Sequence, residues 1–146
     1  MFAFFDDSKF PDIYITFNQN LNNDSWNNFT ETWENFDKRN ENYNFYFDLA
    51  GLGMPHIIYA WKMTFFIENL KKRKKLHNNV YLKKSIIICN NYYQRKLLEL
   101  VFYIQSPVAP VYIINDRNEI EELCNGLKIS KQFYNSNITA FFPKLT

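Results

Sequence analysis

The stretch SIIICN, residues 85–90, contains three consecutive isoleucines and no charged residue. A short β-branched run without polar alternation is typical of a strand that is buried on both faces, as strands in parallel sheets are. VYIIN (111–115) repeats this pattern after YYQRKLLELVFYIQ, a leucine-rich segment with helical spacing. Two such strands with a helix between them predict a parallel βαβ unit.

Three further strands are predicted on the N-terminal side of this unit. IYITFN (13–18) and NFYFDL (44–49) are rich in β-branched and aromatic residues, and polar residues or proline flank them. MFAFF (1–5) lies close enough in sequence to pair with the first of them as a hairpin. We therefore expect a mainly parallel sheet with an antiparallel N-terminal edge strand.

Four segments have the patterns of helices. The first has a narrow aromatic face at i, i+3, i+7 and i+10: Trp26, Phe29, Trp33 and Phe36. A second helix is predicted from Pro55 to about Lys75, because proline suits the first helical position. The third is predicted to have these residues on one face: Tyr93, Leu97, Leu100, Val101 and Ile104. The fourth, RNEIEELCNGL (117–127), has its acidic residues early and Gly126 near its end, as helix polarity and capping favour.

These elements predict a single α/β domain over residues 1–127, with a mainly parallel sheet of four to five strands and about four helices. A C-terminal tail, 128–146, follows; it is aromatic without periodicity, and it either packs back on the domain or serves as a docking segment. With 146 residues, 47% apolar and 19% aromatic, the chain can bury a core of this size.

Composition excludes several functional classes. A net charge of +2 is too small for a whole-protein nucleic-acid signal. Cys89 and Cys124 have no CxxC or paired-histidine context, so they are predicted to be free thiols in a reducing compartment. The protein is accordingly predicted to be cytoplasmic and to bind no metal or cofactor. There is no run of about 18 apolar residues and no basic N-terminal region, so neither a membrane span nor a signal peptide is predicted.

No catalytic constellation stands out, and a non-enzymatic protein is therefore predicted. Acid–base pairs, metal-ligand clusters and activated nucleophiles are not recognisable in the sequence. The abundance of Asn, Lys, Ile, Tyr and Phe indicates an A/T-rich genome, such as that of a protist or a large virus.

The segment DLAGL (48–52) ends one predicted strand just before a helix. Together with the element order and the IIIC strand before a leucine-rich helix, it resembles the STAS domain. This family includes bacterial anti-sigma-factor antagonists and the cytoplasmic tails of sulfate transporters. The resemblance covers roughly residues 1–127. It implies a small interaction module whose partner surface surrounds the start of the helix after DLAGL.

The resemblance does not extend to the regulatory motif of the family. In the antagonists, an Asp-Ser/Thr-Ser-Gly motif follows the DLAGL-like signature and supplies the phosphoacceptor. The matching positions here are His56, Ile57, Ile58 and Tyr59. The acceptor hydroxyl is missing, so no phosphorylation switch of the antagonist kind is expected.

The predicted partner surface lies around this junction and consists of Gly53, Met54, His56, Tyr59, Tyr92 and Tyr93. His56 has three interpretations: an ordinary surface cap, an interface contact, or an acid–base group with Asp48. The helix after Pro55 is apolar around most of its circumference. Its large residues therefore either cover core or leave a surface for a protein partner or a second copy: Tyr59, Trp61, Met63 and Phe66.

Two motifs have alternative interpretations. GLG (51–53) either permits a tight turn or, together with 90–93, contributes to a nucleotide or small-molecule site at the carboxyl ends of the strands. KKRKK is either a solvated helix end, which the helix dipole favours, or a contact with an anionic surface such as a lipid leaflet or nucleic acid. Its residues are Lys71, Lys72, Arg73, Lys74 and Lys75.

Overall fold

The computed structural model describes residues 2–77, 80–121, 123 and 138–144, with only the backbone described at 75–77. The described strands form one six-stranded sheet whose spatial order follows the chain. They are β1 (Ala3–Lys9), β2 (Asp12–Phe17), β3 (Tyr43–Asp48), β4 (Leu82–Ile88), β5 (Val111–Ile114) and β6 (Thr139–Phe141). Strands β2 to β5 are parallel, whereas β1 and β6 pair antiparallel at the two edges. The predicted α/β class is confirmed.

Three long helices connect the parallel strands in the described part of the chain: α1 (Asn23–Asp37), α2 (Ile58–His77) and α3 (Tyr92–Ile104). The fourth predicted helix is described only in part, with helical backbone at 119–121 and at 123. Cys124 and Gly126, which the sequence places in that helix, lie outside the described residues.

The three helices pack on one face of the sheet. When strands follow chain order, right-handed crossovers all step in the same direction and place their helices on the same side. The aromatic face predicted for α1 is buried against that side. Trp33 lies in its middle, with its ring centroid 4.9 Å from that of Phe45 in β3 and 5.1 Å from that of Phe66 in α2.

Residues 85–88 of β4 and all of β5 are buried on both faces, as their apolar runs predicted, whereas Lys83 near the start of β4 is exposed. In β4, Ile87 belongs to the core beneath the helices, whereas Ile86 and Ile88 pack on the opposite face with Leu123. All four residues of β5 are buried.

The structure differs from the sequence prediction in its sheet and in its helices. Residues 139–141 of the tail pair with β5, so the sheet has six strands and extends beyond residue 127. Helix α2 begins at Ile58 instead of Pro55. In α3, Tyr93 and Ile104 are exposed, whereas Gln94 and Val101 are buried. The face predicted for α3 was therefore right at Leu97 and Val101 and wrong at its two ends, Tyr93 and Ile104, because a glutamine takes the first inward position.

Candidate functional site

Two glycines, Gly51 and Gly53, allow the segment 49–57, which joins β3 to α2, to turn tightly. A Cβ atom on Gly51 would overlap the carbonyl oxygen of Phe17. Gly53 has a φ of +74°, a left-handed conformation that glycine adopts without a steric penalty. The backbone of β2 thus occupies the open side of Gly51. This packing favours the tight-turn interpretation of GLG over a phosphate-binding loop.

Gln94, in the first turn of α3, holds this segment in place from inside the protein. Its side chain is buried, and Nε2 donates hydrogen bonds to Gly53 O at 2.5 Å and to Leu49 O at 3.3 Å. The thiol of Cys89 lies 3.7 Å from Gln94 Oε1, and burial raises the pKa of that thiol. Cys89 is therefore a buried neutral donor and not a reactive thiolate.

The start of α3 also contacts the junction through Tyr93. The Tyr93 hydroxyl donates to Pro55 O at 2.9 Å, and Asn91 Oδ1 caps α3 by accepting from Gln94 N at 2.9 Å. The structure thus brings the 51–56 turn and the 91–93 segment together, as the sequence predicted, although through structural hydrogen bonds.

His56 lies two residues before α2 and acts as a local cap. Its Nδ1 accepts a hydrogen bond from Ile58 N at 3.1 Å. Asp48, the carboxylate considered for an acid–base pair with it, accepts from Ala50 N at 3.0 Å and from Arg117 Nη2 at 2.8 Å. Both groups make other hydrogen bonds, so this geometry favours the cap interpretation of His56.

An exposed apolar surface begins at the junction and continues along α2. We call it the apolar stripe; its exposed fractions are Met54 74%, Ile57 45%, Ile58 49%, Trp61 47% and Phe65 61%. Ile58, Trp61 and Phe65 share one helical face because they are spaced i, i+3, i+7. The other side of α2 is buried, including Ala60, Phe66 and Ile67. Helix α2 therefore presents apolar residues both to the core and to solvent.

The predicted partner residues divide into exposed and packed groups. Met54, His56 and Tyr92 are exposed, and Tyr93 is 38% exposed. Gly53 and Tyr59 are half-buried, and the Tyr59 ring lies 5.8 Å from that of Trp26. Tyr59 therefore helps to attach α2 to α1.

Sequence reasoning named Trp61 only as one of several large residues and did not identify Ile57, Ile58 or Phe65 as exposed. It also missed Gln94. A signal for Gln94 exists, because Gln94, Leu97, Leu98 and Val101 form an i, i+3, i+4, i+7 set with one polar member.

Intramolecular contacts involve most of the KKRKK run. Lys71 Nζ donates to Gln105 Oε1 at 2.8 Å and to Ser106 Oγ. Lys72 pairs with Glu68 at 3.4 Å, and Arg73 pairs with Glu34 at 2.6 Å. Lys74 is exposed, and the side chain of Lys75 lies outside the described residues. These contacts favour a structural helix end over an anionic-surface site.

The described residues contain neither a metal-binding cluster nor a helix that could span a membrane. Among those residues, His, Cys, Asp and Glu form no group of three or more that could hold a metal ion. None of the helices in the described part of the chain combines the length and apolar character needed to cross a bilayer.

The chain was compared with protein-family models, with curated proteins and with solved structures. None of these comparisons gives a match.

Proposed function

We propose that this chain is a non-enzymatic protein–protein interaction module and that the apolar stripe is its contact surface. The observation that carries the proposal is the exposure of five large apolar side chains within residues 54–65, three of which share one face of α2. Single exposed apolar residues are common on soluble proteins, whereas a contiguous group of them marks interaction sites. Trp and Met, both present here, are enriched at interface cores.

Hydrogen bonds and a ring contact hold the framework beneath the stripe in place, which favours binding. Gln94 and Tyr93 hold the loop that carries Met54, and Tyr59 packs α2 against Trp26. A surface that is already ordered loses little conformational entropy when a partner docks. Tyr92, 77% exposed at the start of α3, lies at the same end of the sheet and extends the surface.

The STAS resemblance supports the same class of function. It predicts a partner surface around the start of the helix after DLAGL, and the stripe begins at that point. Because the phosphoacceptor hydroxyl is missing, this module would act as an adaptor, a scaffold or an assembly component without serine phosphorylation at the family site. The bound partner is another protein or a second copy of the chain.

A matched pair of variants tests the proposal. Trp61→Glu with Phe65→Glu places two charges in the stripe, whereas Tyr103→Glu places one at an 85% exposed aromatic residue of α3. Tyr103 is near the C-terminal end of α3 and therefore at the opposite end of the sheet. Affinity capture from source lysate, with quantitative mass spectrometry, would identify partners, and sedimentation velocity would detect self-association.

We expect the double variant to reduce the bound partner, or the dimer, by about tenfold or more, since a hot-spot aromatic residue contributes about 2 kcal/mol or more. Tyr103→Glu should leave binding unchanged, and both variants should keep the wild-type circular dichroism. A partner that binds all three proteins equally would contradict the proposal, as would a monomer that captures nothing.

A further inference from the structure

A cavity of about 150 Å³ lies between the sheet and the helix layer. Its wall includes residues from β2 to β5, from all three long helices and from the 105–110 loop. Protein interiors are normally packed with few voids larger than a water molecule, and unfilled volume lowers stability in proportion to its size. A cavity of this size is therefore a feature that needs an explanation.

Small side chains at three wall positions account for part of this space. Ser85 of β4 is paired with Phe45 on one side and Val111 on the other, so a small residue lies between larger ones on the helix-facing side of the sheet. Ala60 of α2 and Ala109 also line the cavity, and both are buried.

The lining is mostly apolar and rich in aromatic rings, and Ser85 and Gln94 are its non-aromatic polar members. The amide of Gln94 is already bonded to two backbone carbonyls. Ser85 is 3% exposed, and its backbone N–H donates to Pro110 O. No charged residue belongs to the described lining.

We infer that this cavity binds a small, uncharged aromatic molecule of about the size of benzene or phenol. A cavity of about 150 Å³ lined by aliphatic and aromatic side chains remains dry and binds benzene. Aromatic walls add edge-to-face and offset ring contacts. A carboxylate is excluded, because it would be buried without a cation.

Two methionines provide an internal control for the test. Met63 lines the cavity, whereas Met54 is exposed in the apolar stripe and does not belong to the lining. The protein with ¹³C-labelled methionine methyl groups would be titrated with benzene, phenol and benzoate and followed by NMR. We expect benzene and phenol to shift the Met63 methyl signal and to leave that of Met54 in place, and benzoate to shift neither.

Thermal denaturation gives a second measurement. Phenol at 100 times its dissociation constant should raise the apparent folding constant about 100-fold and therefore raise Tm. A Met54 shift without a Met63 shift would place the ligand on the outer surface and overturn the inference. No shift of Met63 with either uncharged ligand would also overturn it.

A cavity-filling variant locates the site. Ser85→Leu adds volume at the wall and should abolish the Met63 response, whereas Ser8→Leu makes the same substitution at an exposed position of β1 and should preserve it. A folded Ser85→Leu protein that still gives the full Met63 response would contradict the proposal. If Ser85→Leu does not fold, the titration of the wild-type protein decides the question.

Discussion

Helices α1 and α2 pack on the same face of the sheet, yet they use their apolar residues differently. Helix α1 has one narrow aromatic face, and all four of its members are buried. Helix α2 buries one apolar face and exposes another, at Ile58, Trp61 and Phe65. A sheet covers only one side of a helix, so one apolar face is enough for the fold. The second face of α2 is a part of the helix layer that packing does not explain, and it is the surface that we propose for binding.

The largest expected effect on stability comes from comparing the same substitution, Trp→Ala, in the two helices. Trp33→Ala in α1 should lower the free energy of unfolding by about 3–5 kcal/mol, because it leaves a cavity among Phe45, Phe47 and Phe66. Trp61→Ala in the stripe should lower it by about 1 kcal/mol or less, since nearly half of that side chain is already exposed. Urea denaturation measures both. Equal losses would mean that the stripe is structural.

The next largest expected effect concerns the N-terminal ends of the two helices, which are held in different ways. Helix α1 is capped locally, by reciprocal bonds between Asn22 and Ser25, whereas the loop before α2 is held by Gln94 of another helix. Gln94→Leu removes the side-chain donor to Gly53 O and one of the two donors to Leu49 O, which also accepts from Leu52 N, and should lower stability by about 1–3 kcal/mol. Hydrogen exchange should accelerate most at the amides of residues 58–60.

The same exchange data contain their own control, because the amides of 23–26 should change less than those of α2. Equal acceleration at both sites would indicate only a global loss of stability. Unchanged exchange at 58–60 would show that Gln94 does not hold the start of α2.

A smaller effect concerns the end of α1 and depends on pH. The Tyr43 hydroxyl donates to Asp37, the last residue of α1, at 3.0 Å. Burial and then the Asp37 charge raise the pKa of Tyr43 far above its ordinary value. Above about pH 10 the unfolded chain loses this proton and the folded chain keeps it, so stability falls as pH rises. The slope for one such group is about 1.4 kcal/mol per pH unit.

Denaturation of the wild-type protein and of Tyr43→Phe between about pH 9 and pH 11 measures this contribution. The variant should have the shallower slope, and Tyr112, whose pKa burial also raises, should leave part of the slope in both proteins. A variant with the full wild-type slope would refute the assignment to Tyr43.

The sequence was sufficient for features that depend on local pattern. The runs at 85–90 and 111–115 predicted strands buried on both faces, and the spacing of four aromatic residues predicted the buried face of α1. Each of these patterns fits one arrangement well, because burying apolar side chains is favourable. The periodicity of the helix or strand then determines which side chains face the core.

Features that depend on tertiary contacts were not predicted. Strand β6 has only three residues and exists by pairing with β5, so its local sequence carries little signal. The buried face of α3 depends on Gln94, whose amide becomes acceptable in the core only when two backbone carbonyls accept from it. The exposure of the stripe could not be predicted either, because an apolar helix face reads the same in sequence whether it is covered or open.

The chain-ordered sheet has a consequence for biosynthesis. Each strand pairs with the strand made just before it, but from β2 to β5 every pairing must wait for the crossover helix that separates the two strands in the chain. Closing each of these long connections costs conformational entropy before the parallel strands make contact, and this slows folding relative to a sheet built only of hairpins. A ribosome-bound chain can add one βα unit at a time to a finished edge, starting from the β1–β2 hairpin. Until the next strand emerges, the newest edge stays unpaired and is the point at which a nascent chain is open to misassociation.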